Sequence, residues 1–273
     1  IIFMTVENIF IWAPTQRCGT GLLQRLVTSS KEVLVFGEDK FLTDQLPKLM
    51  IEHAELDNDI KDSTSKLASG NYDGWFPSAL PFYEDYIEAL ANSFKLMADA
   101  YSSTAKKLGF ANWGSKLPYV STAQLSAINT LLPNSRHVFL YRNLADVMRS
   151  MKARRWVADQ EQFKDICNKW FNSLSEIGST FTGVNWMYML SHDKLIEKPA
   201  FYTVELQNFL GLNELDIKVF DHKINTFIGE EKDGHSETSY VKPESLSDYE
   251  ETLCRQVQNE VEKLKIFHFK KSI

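Results

Sequence analysis

Between Pro14 and Leu22 the chain sets an arginine, a threonine and two glycines within five positions, Arg17-Cys18-Gly19-Thr20-Gly21. These residue types suit the binding of a phosphate-like anion. Gly19 and Gly21 let the backbone come close to it. Thr20 adds a hydroxyl and Arg17 a fixed cation. Apolar residues 8–13 precede the loop, and an apolar run from Leu22 follows it. The order is therefore strand, loop, helix start. A helix start offers unpaired N–H groups and about half a positive charge.

Two familiar phosphate loops do not fit. A Walker A loop needs G-x-x-x-x-G-K-[ST]. Pro14 stands where its first glycine belongs, and Leu22 follows Gly21 where lysine belongs. Its acidic partner, an apolar strand ending in Asp that holds Mg²⁺, is missing too, because the run 137–141 ends in Tyr141-Arg142. A Rossmann G-x-G-x-x-G is also absent. What remains is an anionic nucleotide held by arginines and hydroxyls, with no metal expected.

The elements that must position this loop follow from the hydrophobic pattern. Strands are expected at 8–13, 33–36, around 113–118, at 137–141 and at 186–190. Helices are expected at 20–29, through most of 41–68, and at 83–108, 122–132, 144–154, 159–178, 200–211 and 247–264. Strands alternating with helices predict a P-loop-like parallel β-sheet flanked by helices on both faces, a three-layer α/β/α fold. Residues 1–273 are read as one domain. Two stretches, 69–87 and 229–246, read as loops that cover substrate or cofactor. The first is rich in aromatics, among them Tyr72, Trp75 and Phe76.

The net charge is −6. A broad nucleic-acid surface needs a basic face, so no nucleic-acid partner is expected. Cys18, Cys167 and Cys254 form neither a disulfide framework nor a zinc pattern, and a cytoplasmic location is expected. No apolar run reaches the roughly 18 residues of a membrane helix. Ile1-Ile2-Phe3 is too short for a signal peptide. Cys18 is read as a small loop residue, not a reactive thiol.

At this point a family resemblance emerges. Ala13 to Leu23 resembles the 5′-phosphosulfate loop of sulfotransferases, commonly P-R-S-G-T-T-L-L. Pro133 to Met151 resembles their 3′-phosphate motif, an apolar strand, then Arg, then Ser eight residues on. Arg142 and Ser150 keep that spacing. Gly37-Glu38-Asp39 resembles the Gly-Glu-Glu of the protein-tyrosine branch. Gly114-Ser115-Lys116-Leu117-Pro118 resembles its Asn-Lys-Asp-Pro, and Val241-Lys242-Pro243-Glu244-Ser245-Leu246 its cofactor-covering loop, with Ser236 near the start.

The resemblance implies 3′-phosphoadenosine 5′-phosphosulfate (PAPS) as donor and PAP as product. It implies in-line transfer of a sulfuryl group to an acceptor oxygen or nitrogen. Arg17, Cys18, Gly19, Thr20, Gly21 and Leu22 would cradle the 5′ side. Arg142 and Ser150 would hold the 3′-phosphate, with Arg154 one helical turn on. His192 would stand near adenine, and Ser236 and Lys242 would close over the cofactor. Arg17 and Lys116 would stabilise developing charge, and Glu38 or Asp39 would be the general base. Glu38 is preferred for its longer arm. Gly21 stands where relatives carry a second hydroxyl.

Tyrosine-sulfating enzymes need arginines just after this acidic segment, where this chain has Phe41 and Asp44 or Gln45. A peptide acceptor is therefore not expected. The aromatic segment 72–86 points instead to a small-molecule or lipid-like acceptor. The alternatives are a P-loop-type phosphotransferase and a non-catalytic PAP-binding protein.

Overall fold

The computed structural model describes residues 7–222 and 243–264. Strands β1 (Asn8–Ala13), β2 (Val33–Phe36), β3 (Asn112–Pro118), β4 (Ser135–Tyr141) and β5 (Met187–Ser191) form one sheet in the order β2-β3-β1-β4-β5. Every pairing is parallel. The helices are α1 (Thr20–Thr28), α2 (Leu46–Glu55), α3 (Asp57–Ala68), α4 (Tyr83–Lys107), α5 (Thr122–Leu131), α6 (Leu144–Ala153), α7 (Gln160–Phe181), α8 (His192–Glu197), α9 (Pro199–Leu210) and α10 (Asp248–Lys263). None of them is long and apolar enough to cross a membrane.

β1 is the central strand, and all six of its residues are buried. Side chains alternate between faces along a strand. Phe10 and Trp12 therefore join one core with Trp113, Phe139 and helices α4 to α7 and α10. Ile9 and Ile11 join the other with Val35, Val138, Leu140 and helices α1, α8 and α9. These are the expected three layers.

Chain direction explains which helix lies on which face. From β1 the chain runs outward past β3 to β2, with α1 on one face. It then returns through β3 and β4 to β5, with α4 to α7 on the other. Right-handed crossovers require that change of face when direction reverses. The two directions part at β1 and β4. A crevice therefore opens at their carboxyl ends, the usual ligand position in such sheets.

Several elements differ from expectation. The stretch Trp113–Pro118, expected as a short strand and turn, is strand throughout in the seven-residue β3, which lies between β1 and β2 and is paired on both sides. A close fit makes this possible: a Cβ on Gly114 would lie 2.2 Å from the Ile9 carbonyl oxygen. The helix expected through 41–68 is three pieces: a π-helical turn at Phe41–Gln45, then α2 and α3. The loop expected over 69–87 ends at Phe82, where α4 begins. Ser236, Lys242 and most of the 229–246 loop lie outside the described residues.

α4 packs into the core on one face of the sheet: Phe94, Ala98 and Ala105 join the same cluster as Phe10. Tyr101 Oη donates to Asp39 Oδ2, just past β2, and its ring meets Phe36 edge-on at 4.8 Å. Ahead of the helix, the α3–α4 loop leaves Tyr72 77% and Trp75 88% exposed.

A buried polar chain crosses the sheet centre. Trp12 Nε1–H donates to His137 Nδ1 at 2.9 Å. The neutral ring then carries its proton on Nε2 and donates to Ser135 Oγ at 2.7 Å. Burial, aided by Arg136, pushes the His137 pKa down to about 3.

Two outcomes are expected. The folded pKa of His137 lies below its unfolded value, so its stabilising contribution is complete above about pH 6.5 and is lost as pH falls toward 3. Urea denaturation should show about 2 kcal/mol lost by pH 5; a flat profile from pH 7 to 5 would contradict the neutral buried ring. Gly114→Ala should cost about 2 kcal/mol through overpacking against β1, read from the same denaturation curves.

Candidate active site

Parallel strands bring their carboxyl ends to one edge, and each strand delivers a candidate there. Glu38 follows β2, and Lys116 lies near the end of β3. The Arg17 loop follows β1, Arg142 follows β4, and His192 follows β5. Helix α6 adds Ser150, and Arg154 caps its end.

The β1–α1 loop needs unusual backbone. Arg17 has φ 66° and Gly19 φ 94°. A Cβ at Gly19 would lie 2.3 Å from His192 Cδ2, so the His192 ring rests directly on this glycine. His192 is thereby brought to the anion loop. Gly19 is the N-cap of α1; no side chain caps the helix, and no acidic residue lies in its first turn. The positive helix end thus meets no side-chain cap or acidic residue of its own first turn. Leu22 was expected to offer its N–H, but it donates to the Gly19 carbonyl at 3.0 Å within the first turn. Cys18 is fully buried beside Thr15, and burial pushes its thiol up to about 11. Only its backbone can face an anion. A Cβ at Gly21 would meet nothing within 4 Å, so the missing hydroxyl leaves open space.

Three arginines converge behind the loop. Arg17 Nε donates to Ser150 Oγ at 3.0 Å, and Arg142 Nη1 to the Arg17 carbonyl at 3.4 Å. Burial, then Arg154 and Arg142, lower the Arg17 pKa to about 10. Arg142 Nε is buried with no acceptor among the described residues. The Arg17 guanidinium also lies 5.7 Å from the Trp156 ring centroid. Burial works against the Asp193 carboxylate, but His192, the Asn143 N–H (2.8 Å) and Arg142 hold it below its usual range. The residues expected at two separate anion positions, Arg17 and Ser150, are thus hydrogen-bonded to each other.

The acidic pair divides its labour. Glu38 is exposed and pairs with Lys116 Nζ at 3.0 Å. Asp39 has both carboxylate oxygens engaged: Oδ1 accepts from the Phe41 and Leu42 N–H groups at 2.7 and 3.2 Å, and Oδ2 from Tyr101. Ser115 Oγ donates to the Gly37 carbonyl at 3.0 Å and fastens the end of β2 to β3. Tyr101 and Trp156 were not foreseen. Tyr101 is one of several aromatics along a long helix, and Trp156 follows a left-handed turn at Arg155 (φ 58°) that returns the chain toward Arg17.

A family model described as the sulfotransferase family matches residues 9–216. No curated protein matches the sequence. Among solved structures, the chain is similar to the sulfotransferase domain of the Synechococcus PCC 7002 olefin synthase, with a TM-score of 0.51 and 14% identity over 93% of this chain and 95% of that one. It is also similar to the sulfotransferase domain of the curacin biosynthetic pathway, with a TM-score of 0.51 and 13% identity over 93% and 98%. At these identities the likeness shows the fold.

The arginine cluster makes its own expectation. Pyrophosphate should raise the melting temperature by mass action, and Arg142→Ala should reduce that rise. An equal pyrophosphate shift in both proteins would remove Arg142 from the anion site.

Proposed function

The chain belongs to the sulfotransferase family, and from that premise we propose that it moves a sulfuryl group from PAPS to a hydroxyl or amine of a small molecule. The observation that carries this reading is a pairing on one sheet edge. An uncapped helix start ringed by arginines lies on the same edge as a carboxylate–lysine pair.

The residues fit an anionic donor. The buried, unpartnered Arg142 Nε needs an acceptor, and phosphate oxygens supply one. Arg142, Ser150 and Arg154 would hold the 3′-phosphate. Arg17 and the N–H groups of Gly19, Thr20 and Gly21 would hold the 5′ side, with the Thr20 hydroxyl. His192, resting on Gly19, would border the nucleotide. Ser236 and Lys242 keep their proposed covering role from the resemblance alone. When bound, the donor supplies a sulfuryl group on a phosphate oxygen, ready for in-line displacement.

Glu38 is the proposed base, since Asp39 is fully committed to the turn after β2 and to Tyr101. Glu38 takes the acceptor proton. Lys116 and Arg17 place positive charge where negative charge builds. All three cysteines are free, which supports a reducing, cytoplasmic setting. A lipid-like acceptor is the second reading, favoured by the exposed Tyr72 and Trp75 of the α3–α4 loop.

PAP should raise the melting temperature without added metal. A shift with Mg-ATP and none with PAP would favour the phosphotransferase reading. Glu38→Gln should keep the PAP shift and lose about 10²–10⁴-fold in kcat. Parent-like turnover in that variant would remove Glu38 as base, and no turnover by the parent despite a PAP shift would favour the non-catalytic reading.

A further inference from the structure

His192 opens α8 directly after β5, and its ring has a different neighbour on each side. Nδ1 is buried and lies 3.7 Å from Asp193 Oδ1. Asp193 Oδ2 accepts the Asn143 N–H at 2.8 Å, so the carboxylate is fixed from the end of β4. The other edge of the ring lies on Gly19. A Cβ there would meet His192 Cδ2 at 2.3 Å and Nε2 at 2.9 Å. Nε2 makes no hydrogen bond among the described residues. Gly19 is the N-cap of α1, so Nε2 stands at the uncapped helix start, where the 5′ side of the donor is proposed to sit.

A neutral imidazole cannot serve both neighbours once an anion is bound. It has one N–H and one bare lone pair. With the proton on Nδ1, toward the Asp193 carboxylate, Nε2 turns a lone pair on the anion. With the proton on Nε2, the lone pair turns on Asp193. Only the imidazolium offers an N–H to each.

The charges around the ring pull both ways in the free protein. Asp193, on the same helix, favours a second proton. Arg142 at the end of β4 and Arg17 in the β1–α1 loop oppose it. Tyr141 of β4, its pKa pushed up to about 12 mainly by burial, stays neutral, and Glu262 of α10 acts on that hydroxyl. A bound phosphate offsets the arginines and so favours the imidazolium.

We propose that His192 is a proton-linked ligand of the donor. Its Nε2–H binds the 5′-phosphate, and the ring takes up a proton as the nucleotide binds. This rests on the sulfotransferase reading and goes beyond it. Arginines and backbone N–H groups alone would bind the anion with no proton gained. The bound state favours the protonated ring, so the contribution of His192 is full at low pH and is lost as pH rises. One proton taken up corresponds to about tenfold in Kd per pH unit.

The test is isothermal titration calorimetry of PAP between about pH 6.5 and 8.5. Pairs of buffers with different ionisation heats count the protons taken up. Protons lost by the phosphates of PAP are common to parent and variant, so their difference isolates the ring. The parent should take up more protons than His192→Gln. Its Kd should rise relative to that variant by up to about tenfold per pH unit. In the parent alone, adenosine 5′-phosphate should bring more proton uptake than adenosine 3′-phosphate, which keeps the test open if the variant misfolds. Equal proton counts in the parent and in folded His192→Gln overturn the proposal. So does equal uptake with the two monophosphates. Each can occur with the PAP thermal shift intact. A parent that binds no PAP would instead strike the donor reading itself, and this proposal with it.

Discussion

Like charges held close together set the terms for the rest of this molecule. Arg17, Arg142 and Arg154 lie near enough to depress the Arg17 pKa, in a chain whose net charge is −6. Such a cluster resists its own formation, and burial worsens it. It persists because each member is anchored elsewhere. Arg17 is fixed by Ser150 and by its left-handed backbone, and Arg142 by the end of β4 and the Arg17 carbonyl. An uncapped helix start adds to the same field. Each of these is a standing cost in the free protein that an anion would relieve.

The sheet is what makes the convergence possible. Parallel pairing sends all five carboxyl ends one way, and reversal of direction at β1 and β4 opens the crevice there. Gly114 matters although it touches no candidate ligand. A side chain there would push β3, the strand that carries Lys116, away from β1. The neutral His137 chain pins β4 to β1 beneath the same crevice.

Much of this was legible in residue order. The unbroken apolar run of β1 and the glycine-punctuated turn after it announced a strand–loop–helix of a kind that suits an anion. Arg142 and Ser150 were singled out by the resemblance, because they keep its arginine-to-serine spacing of eight residues. The rest was hidden for physical reasons. Asp39 and Glu38 look equivalent in sequence; only the long-range bond from Tyr101, and the cap that Asp39 makes, separate them. Cys18 reads as part of a loop, yet its side chain joins the core.

By itself, then, the sequence determined the layered architecture and the strand–loop–helix at its start, because periodicity, glycine placement and loop chemistry are local properties. Tertiary structure decided which groups remain free to act. It joined Arg17 to Ser150, laid His192 on Gly19, spent Asp39 on structure and left Glu38 to Lys116. It also bonded Tyr119 back to Ala13 and Gln16. Each of these depends on strands that are distant in the chain ending side by side, and no local pattern records that.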